Sequence, residues 1–168
     1  MITEVDVAYA AGLVDGEAYI GIKKSKAYKC QGRTTPGYSA VVQIRMVDEG
    51  AIRFFAESFG GWYWKEKPHS HKGRQLFCYQ VSDLRAHKTL EILLPFLKVK
   101  NHQAQTVLEF RKLQADGKNH RTKITGHRNF PNKYGTNRTV PNLSFSDEYV
   151  EQCEKFWLRC KELNRVGA

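Results

Sequence analysis

Apolar and polar residues alternate in four short runs of this chain, and the runs fall into two pairs separated by a helical stretch. Ile20 and Ile22 alternate with Tyr19, Gly21, Lys23 and Ser25, and Ala40, Val42, Ile44 and Met46 alternate with Ser39, Val41, Gln43 and Arg45. In the second pair, Trp62 and Trp64 alternate with Tyr63, Lys65 and Lys67, and Phe77, Tyr79 and Val81 alternate with Arg74, Leu76, Cys78 and Gln80. A period of two sends successive side chains to opposite faces, so each run predicts a half-buried strand. One face of the resulting sheet is apolar and needs a cover, while the other is mostly polar.

The cover comes from segments with helical spacing. Thr3 with Asp6 three residues later resembles a capping signature, and Val5 to Val14 predicts a first helix that Gly16 stops. Ile52, Phe55, Ala56 and Phe59 recur at helical spacing between Asp48 or Glu49 and Gly60-Gly61. Asp83 is placed to cap a helix that runs to Leu94 and breaks at Pro95. A further helix from about Asn101 to Ala115 carries Ala104, Val107, Leu108 and Leu113, and Ser146, Asp147 and Glu148 begin a last one, about 147–164. The order predicts an α+β domain with helices on one face of a four-stranded antiparallel sheet.

The chain has 168 residues and no linker-like spacer near its middle, which favours one domain over 1–168. Lysine and arginine outnumber the acids 27 to 17, a formal charge of +10 that suits a polyanionic partner. Nucleic acid ranks ahead of an anionic membrane surface. No apolar stretch approaches the length of a membrane span, and the N-terminus lacks the basic region of a secretory signal, so the expected location is intracellular, in the cytoplasm or an organelle. Cys30, Cys78, Cys153 and Cys160 form no C-x-x-C pair and read as packed thiols.

The segment 117–146 differs from the rest. It contains Lys118, Arg121, Lys123, Arg128, Lys133 and Arg138 with no acid, and reads as an extended basic insertion that either grips phosphates or is disordered. Its His127-Arg128-Asn129 cluster lacks the metal-ligand frame that an HNH-type nuclease would need.

Ala11-Gly12-Leu13-Val14-Asp15-Gly16-Glu17 resembles the LAGLIDADG motif of homing endonucleases, with Ala10 at the leading Leu position and Ala18 in place of the final Gly. The order helix-strand-strand-helix-strand-strand-helix is similar to that family's core. The segment from Pro95 to Ala104 resembles the one that carries its active-site lysine. The resemblance covers roughly Tyr9 to Ala115. It implies an endonuclease that cuts both strands of a long, pseudo-palindromic DNA site, uses divalent metal and needs no small-molecule cofactor. Because the chain carries one motif copy, it implies a homodimer, with Ala8, Ala11, Gly12 and Asp15 as the small-residue face between motif helices. The same face could instead pack on the chain's own sheet.

The resemblance further implies that Glu17 and the Gly16 carbonyl hold Mg²⁺, with Mn²⁺ or Ca²⁺ able to occupy the same place, and that Glu17 and Lys100 are catalytic. Lys98 is the neighbouring candidate. Asp15 reads as a hydrogen-bond partner of helix-end or partner backbone groups. Met46 stands where relatives often carry a polar residue, so Arg45 or Arg53 would have to supply that function. The outward residues Lys23, Ser25, Ser39, Gln43, Arg45, Tyr63, Lys65, Lys67, Arg74 and Gln80 are the expected DNA-binding set, since Arg or Lys reads guanine and Gln reads adenine in the major groove. Trp62, Trp64, Phe77 and Tyr79 are expected in the core. A non-catalytic RNA maturase or DNA-binding regulator derived from the same fold is the alternative.

Overall fold

The computed structural model describes residues 2–27, 35–67, 73–117, 119–131 and 137–166. Cys30, Lys118 and Lys133 lie outside them, as do the side chains of Arg128, Asn129 and Arg138. Helix α1 (Glu4–Glu17) opens on a reciprocal capping box between Thr3 and Asp6. It runs through Gly16 instead of stopping there, and strand β1 (Ala18–Ser25) follows without a loop. β2 (Gly37–Met46) pairs antiparallel with β1. Asp48 accepts a hydrogen bond from the Ala51 amide at 2.8 Å and so caps α2 (Glu49–Phe59).

Gly60 and Gly61, with φ of 67° and 107°, turn the chain into β3 (Trp62–Lys65), and β4 (Phe77–Ser82) completes a sheet of order β1-β2-β4-β3. Only glycine takes such angles freely. A Cβ on Gly61 would also lie 2.5 Å from a Val81 methyl, so the turn presses against β4. α3 (Asp83–Leu93) ends in a 3-10 turn at Leu94–Phe96, and α4 (Asn101–Ala115) follows. Asp83 does not cap α3: its carboxylate reaches back to the Ala40 amide at 3.3 Å and lies 3.8 Å from Arg111.

The largest departure from the sequence reading is in 117–146. Where the sequence predicts an extended loop, β5 (Lys123–Pro131) and β6 (Asn137–Ser144) pair as an antiparallel ribbon and form a separate two-stranded sheet. β-branched Ile124, Thr125, Thr139 and Val140 favour extended backbone, a preference its Gly, Pro and Asn content hid. α5 (Asp147–Val166) closes the chain, started by Ser146, whose hydroxyl accepts from the Tyr149 amide.

All five helices contribute to one core against the inner face of the sheet. Ile20, Ile22, Ala40, Val42, Ile44, Tyr79 and Val81 meet Val7, Ala10, Ala11 and Val14 of α1, Ile52 and Phe55 of α2, Leu90 and Leu93 of α3, and Ala104, Val107 and Phe110 of α4. α5 adds Tyr149, Cys153 and Cys160. Burial pushes the Cys160 thiol up to about 12, which keeps it a neutral packing group. Among the described residues, no helix is long and apolar enough to cross a membrane.

Candidate active site and nucleic-acid interface

The C-terminal end of α1 is held by two residues distant in sequence from each other. The Asp15 carboxylate accepts hydrogen bonds from the backbone amides of Lys98 and Lys100, at 2.7 and 2.9 Å. In return, the Lys100 ammonium donates to the carbonyls of Val14 and Ala18, at 3.1 and 2.6 Å. A helix end exposes unpaired carbonyls and carries partial negative charge, so a cation there satisfies both. Burial pushes the Lys100 amine below the usual lysine range, opposed by the nearby charges of Asp15 and Glu17. Asp15 therefore bonds to helix-end backbone of its own chain, and Lys100, not exposed Lys98, is the ammonium at the site.

Glu17 is the last residue of α1 and exposed, beside exposed Gly16. Among the described residues, no group of three His, Cys, Asp or Glu is placed to hold a metal ion. One carboxylate at a helix C-terminus offers hard oxygen donors of the kind Mg²⁺ or Ca²⁺ prefers, but too few for a complete shell. Met46 is partly buried against the core beside Phe77, which gives it a packing role. Arg45 pairs with Glu66 and Arg53 with Glu49.

The small-residue face of α1 is rotated from the expected one. Ala11 is 0% exposed and belongs to the core, and Asp15 is engaged by the turn before α4. Ala8 and Gly12 of the expected face do point outward, and with them Gly16, Val5 at 77% and Tyr9 at 52%. A Cβ on Gly12 or Gly16 would meet nothing within 4 Å. Val7, Ala10 and Val14 set the buried side, and Ala11 falls with them at helical spacing.

On the outer face of the sheet, cross-strand pairing puts Tyr19 and Gln80 beside Gln43, Cys78 beside Arg45, and Lys23 beside Ser39. The Lys23 ammonium bridges the side-chain carbonyls of Gln43 and Gln80, at 3.2 and 3.0 Å. The Gln43 amide rests on buried Cys78 at 3.1 Å and the Gln80 amide on Ser82 at 3.4 Å. Lys23, Ser25, Ser39, Gln43, Arg45 and Gln80 thus share one surface as expected.

β3 has the opposite phase from the sequence reading. Trp62 pairs with Gln80 and Trp64 with Cys78, so both tryptophans lie on the outer face, whereas Tyr63 pairs with Tyr79 and Lys65 with Phe77 on the helix side. The Lys65 ammonium lies 6.0 Å over the Phe77 ring. Trp62 is 76% exposed. Aromatic burial was the misleading guide; the Gly60-Gly61 turn sets the phase. Lys67 and Arg74 lie outside the strands, exposed beside them.

No protein-family model and no curated protein sequence matches the chain. Solved structures do. The homing endonuclease I-CvuI, in complex with the I-CreI target and Mg with the DNA not cleaved, is 15% identical with a TM-score of 0.65, over 95% of this chain and 82% of that one. The archaeal intron-encoded homing endonuclease I-Vdi141I, complexed with DNA, is 13% identical with a TM-score of 0.65, over 95% and 84%. The LAGLIDADG homing endonuclease I-SmaMI, bound to cleaved DNA, is 17% identical with a TM-score of 0.52, over 71% of this chain and 41% of that one. The chain has the LAGLIDADG homing-endonuclease fold.

Proposed function

We propose that this chain is a site-specific DNA endonuclease that works as a homodimer and cuts both strands with the help of a divalent ion. The observation that carries the reading is the end of α1: an exposed carboxylate, Glu17, and a half-buried ammonium, Lys100, sit at the tip of a helix whose outer side is a strip of Ala8, Gly12 and Gly16. Two copies packed along that strip bring two Glu17 carboxylates together across a two-fold axis, and symmetry then favours a pseudo-palindromic site.

Glu17 and the Gly16 carbonyl would hold Mg²⁺, with Mn²⁺ or Ca²⁺ as substitutes. The bound ion supplies a Lewis acid for the phosphodiester and a means of activating water. An ammonium has three donors, and two of those on Lys100 are taken by Val14 and Ala18, which leaves one N–H for the scissile phosphate or its attacking water. Asp15 is a positioning residue, since it fixes the turn that aims Lys100. The outer face, with Lys23, Ser25, Ser39, Gln43, Arg45, Gln80 and the flanking Lys67 and Arg74, reads the duplex. Tyr63 and Lys65 would reach DNA only past the β3 edge.

The test is a duplex selected by the protein from a randomised library, incubated with Mg²⁺ and with wild type or Glu17→Gln. The expected result is cutting by wild type and binding without cutting by the variant. Equal cutting removes Glu17 from the mechanism. Tight RNA binding with no DNA scission by wild type would support a maturase instead.

A further inference from the structure

The ribbon β5–β6 stands apart from the core. Its strands pack chiefly on each other, and the cross-strand partners Ile124 and Leu143 stay exposed. A two-stranded ribbon alone is marginally stable in water, so one this long calls for a surface to lie on. Its base, by contrast, is firmly built. Arg121 lies 4.9 Å over the Phe145 ring, Phe145 stacks on Tyr149 at 4.7 Å, and His120 stacks on the same tyrosine at 5.0 Å. Lys123 is bound to Asp147 at the start of α5, and the Ser146 amide donates to the His120 carbonyl at 2.8 Å, closing the neck.

Two further observations say what the arm is for. Between β6 and the sheet runs a groove of about 710 Å³, bordered by Ser25, Gly37 and Ser39 on one side and Asn142 and Leu143 on the other, with Arg121 at its end. The groove also takes in Tyr38, Gln114, Tyr149 and Cys153 on the helix side, so it rounds the end of β1 and β2, where Ser25, Gly37 and Ser39 bring its rim onto the outer sheet face. They also mark the end of that face farthest from Glu17, about 25 Å along β1. The segment 117–146 has six basic residues and no acid.

We propose that the ribbon is a DNA-binding arm, which extends each half-site outward by laying its basic strands along the duplex beyond the sheet and seating one backbone in the groove. This rests on the endonuclease reading above. Nine strand residues reach about 30 Å, enough to follow several base pairs.

The experiment compares three proteins on a duplex that the wild type selects from a randomised library. They are the wild type, a chain with residues 122–144 replaced by a short Gly-Ser turn across the His120–Ser146 neck, and the full-length variant Arg128→Gln/Arg138→Gln. Hydroxyl-radical footprints and the salt dependence of affinity are read, after circular dichroism and light scattering establish fold and mass. The proposal expects the excised chain to lose about 4–8 protected base pairs on each flank, and both variants to show a log-log salt slope shallower by about 2–5. Unchanged slope in the full-length variant overturns it even if the excised chain does not fold. Loss of dimer mass on excision, with slope unchanged in the full-length variant, makes the ribbon a protein contact and also overturns it. If the wild type selects no duplex, the endonuclease reading falls and the arm with it; if the wild type protects a site that excision leaves unaltered, only the arm falls.

Discussion

Asp15 and Lys100 hold each other's backbone: the carboxylate of one takes two amides of the turn before α4, and the ammonium of the other takes two carbonyls at the end of α1. Asn at position 15 keeps the shape with one acceptor oxygen instead of two. Asp15→Asn is expected to destabilise the fold by about 1.5–3 kcal/mol, the range for a hydrogen bond to a charged group. Urea denaturation reads it, and a change below about 0.5 kcal/mol would mean that the turn holds without the carboxylate.

Lys100 gives a pH signature. Its folded amine titrates below the usual lysine range because of burial, so between the two values the unfolded chain binds more protons than the folded one. Stability contributed through this group therefore rises as pH climbs through that window. Wild type is expected to gain stability relative to Lys100→Met on the alkaline side. Cutting should fall in the same window as the ammonium is lost, and Lys100→Arg should move that fall to higher pH.

Gly12 separates dimerisation from folding. Beyond the backbone of its own helical turns, nothing lies within 4 Å of a Cβ placed there, and Gly in a helix interior is worse than Ala by roughly 0.5–1 kcal/mol. Gly12→Leu is expected to keep or raise thermal stability of the monomer and to abolish the dimer in light scattering. A Gly12→Leu protein that stays dimeric places the interface elsewhere.

Glu154 on α5 receives Lys24 of β1 at 2.8 Å and the Tyr38 hydroxyl of β2, and these bonds hold its carboxyl below the usual glutamate range. The stabilisation is complete above the unfolded carboxylate pKa and is lost as pH falls through the lower folded one. Glu154→Gln is expected to lose about 1–2 kcal/mol at neutral pH. The difference from wild type should shrink on the acid side in denaturation series.

Trp62 is exposed on the face assigned to DNA, and its loss removes no core packing. Trp62→Ala is expected to leave stability within about 0.5 kcal/mol and to weaken binding of the selected duplex. Tryptophan emission in the wild type should change on DNA addition, and less so in the variant. Unaltered affinity would take Trp62 out of the interface.

Period-two alternation in β1, β2 and β4, the capping box at Thr3 and the helical spacing of α2 and α4 were readable in sequence because they are local. The segment from Pro95 to Ala104 was also legible as a partner of α1, since Asp15 and Lys100 meet there. Three readings failed where a local rule met a distant partner. Trp62 and Trp64 looked like core, yet their phase is set by how the Gly60-Gly61 turn presses on β4. Ala11 looked like interface, yet the sheet claims it. The 117–146 segment lacked a strand signal, and its pairing register joins residues up to 21 positions apart, as between Lys123 and Ser144.

The sequence alone determined the α+β order, the basic balance and the chemistry available at the end of α1, since each follows from residue type and short-range spacing. Which side of α1 and of β3 faces outward, that Asp83 and Asp15 serve backbone far from them, and that the basic segment pairs as a two-stranded ribbon were decided only by tertiary structure. Those outcomes depend on which surfaces compete for burial and which amides lack partners, and that competition exists only once the elements have packed.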